Sequence, residues 1–138
     1  MRSQFCSGRK VLLTACILLS IVLAGCGGNT SSGCKILSLN VSPNASAVNH
    51  NAAAPGNAQQ FDAFAGSTTP NCAVAQSNLT TVTWSVSDPV NTTIGTTPGP
   101  SYGVATCKAA TSGAVTVTAT LSQTDFAPVT GTASLTCN

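Results

Sequence analysis

The segment Val115-Thr116-Val117-Thr118-Ala119-Thr120-Leu121 alternates apolar and hydroxyl side chains without interruption. Successive side chains of an extended chain point to opposite faces, so the pattern predicts a strand with Val115, Val117, Ala119 and Leu121 on a core. Val and Thr carry branched side chains that pack well on a pleated surface, which favours a strand over a helix. The same two-residue period recurs outward from this segment. Leu37, Leu39 and Val41 alternate with Ser38, Asn40 and Ser42, and Phe61, Ala63 and Ala65 oppose Gln60, Asp62 and Phe64. Val82, Trp84 and Val86 alternate with Thr81, Thr83 and Ser85, and Ala133, Leu135 and Cys137 with Thr132, Ser134 and Thr136. Residues Val90 to Ile94 and Tyr102 to Thr106 complete the set.

Turn-making clusters separate these runs: Pro43-Asn44, Pro55-Gly56, Asp88-Pro89, Pro98-Gly99-Pro100 and Ser112-Gly113. No helical stripe follows Cys26. About seven short antiparallel strands with frequent turns predict an all-β fold, a β-sandwich.

The order of the pieces resembles a bacterial immunoglobulin-like domain of the group 2 type. The residues that carry the likeness are 37–65 (LSLNVSP, then GNAQQFDAFA), 82–89 (VTWSVSDP) and 103–121 (GVATCKAATSGAVTVTATL). It spans roughly residues 36–137, and Trp84 in its Thr-Trp-Ser setting weighs most. The resemblance implies an immunoglobulin-like sandwich with Trp84 at its centre, and it places residues 36–138 in one domain. Three features depart from the family pattern: the Asn44 to Pro55 segment, the Ser67 to Ser77 insertion, and the four cysteines beyond Cys26.

Ahead of the domain, Arg2, Arg9 and Lys10 precede the apolar run Val11–Leu23, which closes on Leu23-Ala24-Gly25-Cys26. A basic flank, a short hydrophobic segment and small residues describe an export signal. The closing four residues resemble the lipobox of bacterial lipoproteins. That likeness implies cleavage after residue 25, diacylglycerol on the Cys26 thiol and acylation of the new amino terminus. A retained transmembrane helix is the rival reading, but Val11–Ala24 is fourteen residues where a hydrocarbon core takes about twenty. Residues 26–35 then form a lipidated cysteine and flexible tether, small and polar from Cys26 to Ser32. Gly27 stands where an Asp would retain such a protein at the inner membrane of a two-membrane bacterium. By that analogy the expected location is the cell envelope, at the periplasmic or surface face of an outer membrane.

Removing residues 1–25 from the 138 leaves room for one small domain. Its charges are Lys35, Lys108, Asp62, Asp88 and Asp125, with no Arg or Glu after the signal. No basic patch remains to neutralise phosphates, so a nucleic-acid partner is not expected. Four of the seven cysteines lie beyond Cys26: Cys34, Cys72, Cys107 and Cys137. An even number in an exported chain reads as two disulfides, with three pairings open. If seven strands alternate between two ends, Cys34 and Cys72 fall at one end and Cys107 and Cys137 at the other. Pairing 34 with 72 and 107 with 137 is therefore favoured. Zinc, the alternative, lacks the closely spaced cysteine pairs that it usually takes, and no metal is expected.

The mature sequence offers little for catalysis. His50 lies in a polar loop with no acid close in sequence, Asp88 suits a turn, and no phosphate loop, calcium loop or serine elbow is present. No cofactor is expected. Trp84 reads as core, because Val82 and Val86 share its face. Tyr102, Phe64 and Phe126 are the aromatics expected to be exposed and open to a ligand. Asn44, Asn78 and Asn91 begin glycosylation triplets, a modification unusual in a bacterial host. These readings favour a non-catalytic, lipid-anchored adhesion, spacer or protein-interaction module. A carbohydrate-binding module using the three aromatics is the alternative, and a small hydrolase or inhibitor dependent on His50 is the third.

Overall fold

In a computed structural model of the chain, the structure describes residues 33–74 and 77–138. The expected signal 1–25, Cys26 and the tether as far as Ser32 lie outside the described residues. Residues Gly33–Asn138 form one compact unit. It takes in the last residues assigned to the tether, because Cys34 is disulfide-bonded and the Lys35 backbone N–H donates to Thr69 Oγ1 at 3.1 Å.

The described residues are all-β. The strands are β1 (Ile36–Ser42), β2 (Ala45–Val48), β3 (Ala58–Gln60), β4 (Asp62–Thr68), β5 (Thr83–Val86), β6 (Thr92–Ile94), β7 (Val104–Cys107), β8 (Val115–Gln123) and β9 (Phe126–Cys137). They form a four-stranded sheet in the order β2-β9-β8-β5, a three-stranded sheet β3-β7-β6, and the pair β1-β4. One hydrophobic cluster draws on all three, with Leu39, Val41, Phe61, Trp84, Ala105, Val117 and Leu135 among its members. This arrangement is consistent with a β-sandwich, whose strands turn alternate residues to a shared core.

Nine strands replace the expected seven for two reasons. The expected second strand is one extended run that changes partner at Phe61: Ala58–Gln60 pairs with β7, and Asp62–Thr68 pairs with β1. The Phe61 N–H still finds an acceptor, donating to the Gly103 carbonyl at 2.9 Å. The second reason is β2, which lies inside the Asn44 to Pro55 segment that departs from the family pattern. It pairs with β9 in parallel, from Ala45 opposite Ser134 to Val48 opposite Cys137, so the expectation of a wholly antiparallel fold is corrected. Between β1 and β2 the chain leaves β4 and continues along β9 in the same direction.

That crossing requires a residue without a side chain. A Cβ built on Gly131 of β9 would stand 2.9 Å from both the Cβ and the carbonyl oxygen of Leu39. Glycine is the residue that permits so close an approach of two backbones. Leu37 departs from the simple alternation: the β1 register shifts on either side of Ser38, which leaves Leu37 45% exposed while Leu39 and Val41 stay buried. A bulge turns a side chain toward the other face in this way.

Both favoured disulfides are present, Cys34–Cys72 and Cys107–Cys137, each with Cα atoms 5.7 Å apart. The first joins the residue ahead of β1 to the segment after β4. The second joins the ends of β7 and β9 within the core. All four cysteines beyond Cys26 are thereby used, which removes the zinc alternative.

Candidate functional site

Three regions bear on function: the aromatic cluster, the polar turns, and the outer face of the four-stranded sheet. Trp84 is 2% exposed, as expected of a core residue. Tyr102 contradicts its expected exposure. It is buried, its ring meets Trp84 edge-on at a centroid distance of 6.3 Å, and its hydroxyl donates to the Val82 carbonyl. An aromatic with a satisfied hydroxyl is stable in a core, and edge-to-face packing suits the charge distribution of both rings. Burial pushes the phenol above its ordinary value of 10.0.

The local chain explains how Tyr102 reaches the core. The next residue, Gly103, adopts a φ of +74°, and a Cβ there would fall 2.4 Å from the Phe61 carbonyl oxygen. The chain turns inward on this glycine and Val104 begins β7. Sequence reasoning had no access to the Val82 carbonyl as a partner twenty residues away.

Phe64 and Phe126 divide between intermediate and exposed. Phe64 lies opposite Asn40 in the β1-β4 register and is half-buried. Phe126 is 42% exposed at the start of β9, opposite Gln123. The structure therefore does not gather Tyr102, Phe64 and Phe126 into one aromatic platform. His50 donates its backbone N–H to the Asn138 carbonyl, and its Nδ1 lies within hydrogen-bonding distance of the same oxygen. Cys26 lies outside the described residues.

The polar turns are held by their own side chains. Asp88 Oδ1 accepts from the backbone N–H groups of Val90 and Asn91 at 3.2 and 3.1 Å, and Oδ2 accepts from Asn91 Nδ2 at 2.8 Å. The Asn91 side-chain and backbone donors hold this carboxylate below its ordinary range. Asp62 accepts from Asn78 Nδ2 at 2.5 Å, while Asn78 Oδ1 accepts from the Ala63 N–H. These carboxylates build turns and edges. Among the described residues no three of His, Cys, Asp and Glu gather where they could hold a metal ion.

The remaining feature is the outer face of the four-stranded sheet. Register places Thr83, Thr120 and Thr130 in one row across β5, β8 and β9, and Ser85, Thr118 and Thr132 in the next. Thr116, Ser134 and Ala45 form a third row, which reaches β2. All nine are exposed or half-exposed, whereas the intervening Trp84, Val117, Ala119, Gly131 and Ala133 are buried. Rows of this kind repeat at about 4.8 Å between strands and about 6.8 Å along them. No Asp, Lys or His stands on β2, β5, β8 or β9. Exposed sheets ordinarily carry charges that discourage association, and these three rows carry only hydroxyls and methyls.

Such a face can donate and accept many hydrogen bonds and can bury methyl groups, but it supplies no acid or base. Its signal was already in the Thr and Ser alternation of β5, β8 and β9. What sequence could not supply was the register that sets the hydroxyls side by side. No protein-family model matches the chain, and no curated protein matches it.

Proposed function

We propose that this chain is a non-catalytic, envelope-anchored lipoprotein whose immunoglobulin-like domain serves as an adhesion, spacer or protein-interaction module. The observation that carries the role is the uncharged hydroxyl face of the β2-β9-β8-β5 sheet, a broad surface suited to contact and lacking groups for chemistry. The immunoglobulin-like reading draws support from the split first strand: β1 pairs with β4, and β2 runs parallel to β9 on the other sheet. The central Trp84 agrees with it, as does a seven-strand order once β1 and β2 are counted as one split strand and β3 and β4 as one run. The anchor reading rests on Arg2, Arg9, Lys10, the Val11–Leu23 run and Leu23-Ala24-Gly25-Cys26. Among the described residues no helix is long and apolar enough to cross a membrane.

The carbohydrate-binding alternative gains nothing from the geometry, since Tyr102 is in the core and Phe64 and Phe126 stand apart. Two substitutions test the proposal in the native host. Cys26→Ser should release the protein from the membrane fraction and abolish fatty-acid labelling. Thr118→Lys with Thr132→Lys should leave anchoring and fold intact but remove the partners captured by crosslinking from the sheet face. Wild-type protein without fatty acid, or crosslinks indifferent to the paired lysines, would overturn it.

A further inference from the structure

The pole of the domain that carries Cys34 is built differently from the rest of the surface. Gln123, at the end of β8, closes a reciprocal pair of hydrogen bonds with the backbone of Ile36: its Oε1 accepts from the Ile36 N–H at 2.9 Å and its Nε2 donates to the Ile36 carbonyl at 2.8 Å. Lys35 Nζ donates to the Thr124 carbonyl at 2.7 Å. These bonds fix the β8-β9 hairpin against the first residues of β1. Two of the three large hydrophobic side chains exposed on the described surface, Leu37 and Phe126, sit beside this junction. Leu37 follows Ile36, and Phe126 lies opposite Gln123. Ala127 and Pro128, which continue the hairpin, are exposed as well.

We infer that this hairpin pole is a lipid contact: Phe126 and Leu37 enter the headgroup region of the bilayer to which the chain is fastened. The inference rests on the lipoprotein reading of Cys26. That residue precedes Cys34 by eight positions, so the leash spans at most about 27 Å, and Cys34 is held at this pole by its bridge to Cys72. The short leash keeps the hairpin near the surface. A tethered group faces its target at an effective concentration in the millimolar range, so a contact too weak to bind from solution is occupied when leashed. The chemistry suits an interface: an aromatic ring and an aliphatic side chain flanked by small residues. The charges at the tip are Lys35 and Asp125, of opposite sign, so the contact is apolar and does not depend on anionic lipid.

The test uses the full lipidated chain in vesicles of phosphatidylethanolamine and phosphatidylglycerol carrying brominated acyl chains. Two variants report on the two poles. Phe126→Trp marks the hairpin, and Val90→Trp marks an exposed apolar residue in the turn held by Asp88, where the Asn91 carbonyl accepts from the Lys108 N–H beside Cys107. Acylation of Cys26 is read first by intact mass. The inference expects F126W to lose emission to bromine and shift to the blue, with V90W emitting as it does in plain vesicles. An acylated protein in which F126W is unquenched, or both variants are quenched alike, overturns the lipid contact and leaves the anchor standing. A protein without acyl groups overturns both.

Discussion

Removing the two disulfides one at a time should cost different amounts, and the difference should follow burial more than loop length. The bridges span 38 residues for Cys34–Cys72 and 30 for Cys107–Cys137. By loop-closure entropy these spans stabilise the fold by about 3.9 and about 3.6 kcal/mol at 25 °C, a difference too small to rank them. Surroundings break the tie. Cys107 and Cys137 are fully buried in the core, and the Thr92 hydroxyl lies 3.8 Å from the Cys137 sulfur. Cys34 is exposed and Cys72 half-exposed. Replacing the buried pair with alanine therefore also removes two packed sulfurs, adding about 1 kcal/mol or more for each through lost burial and the cavity left behind. The C107A/C137A variant should lose about 5 to 6 kcal/mol, against about 4 for C34A/C72A. Domains of this kind are stable by about 5 to 15 kcal/mol, so the first variant approaches the limit of folding and the second does not. Urea denaturation at 25 °C, with midpoint and slope fitted for each protein, gives the comparison. Equal losses, or a larger loss from the outer pair, would refute the argument from burial.

Three further perturbations address the packing and the turns. Gly131→Ala should destabilise the domain by about 1 to 3 kcal/mol in the same urea assay, because the new methyl meets the Leu39 Cβ and carbonyl oxygen at 2.9 Å and both strands are held by pairing, β1 to β4 and β9 to β8. Tyr102→Phe should cost about 1 to 3 kcal/mol by leaving the Val82 carbonyl without its donor. Since burial raises the phenol in the folded state, wild-type stability should be whole below pH 10.0 and fall as pH climbs through the folded value, a dependence that Y102F lacks. Asp88 has the opposite sign: its lowered folded pKa adds stability above the ordinary 3.8 that is lost as pH falls through the folded value. Asp88→Ala should flatten that acid limb and speed amide exchange at Val90 and Asn91.

The sequence made some of this fold legible and hid the rest for physical reasons. β8 and β9 were readable because unbroken alternation has one structural meaning when a single face is buried. The disulfides were readable because strand parity assigns each cysteine to a pole. β2 was hidden: Ala45–Val48 is four residues long, and its partner, Ser134–Cys137, lies at the far end of the sequence, so no local pattern marks the parallel pairing. Leu37 fits the alternation on paper, and only a register shift around Ser38 turns it outward. Tyr102 follows the Pro98-Gly99-Pro100 turn, a place where an aromatic reads as surface. Its burial depends on the conformation of Gly103 and on a carbonyl in another strand. The candidate face was visible as a list of threonines, while its order came from pairing.

The central claim is a lipid-leashed β domain stapled at both poles. Intact mass spectrometry of non-reduced protein extracted from host membranes, followed by peptide mapping, tests it most directly. The account predicts a chain that begins at Cys26 with acyl groups on that residue and bridges 34–72 and 107–137. A chain that retains residues 1–25, an unmodified Cys26, or a bridge joining 34 to 137 would contradict it.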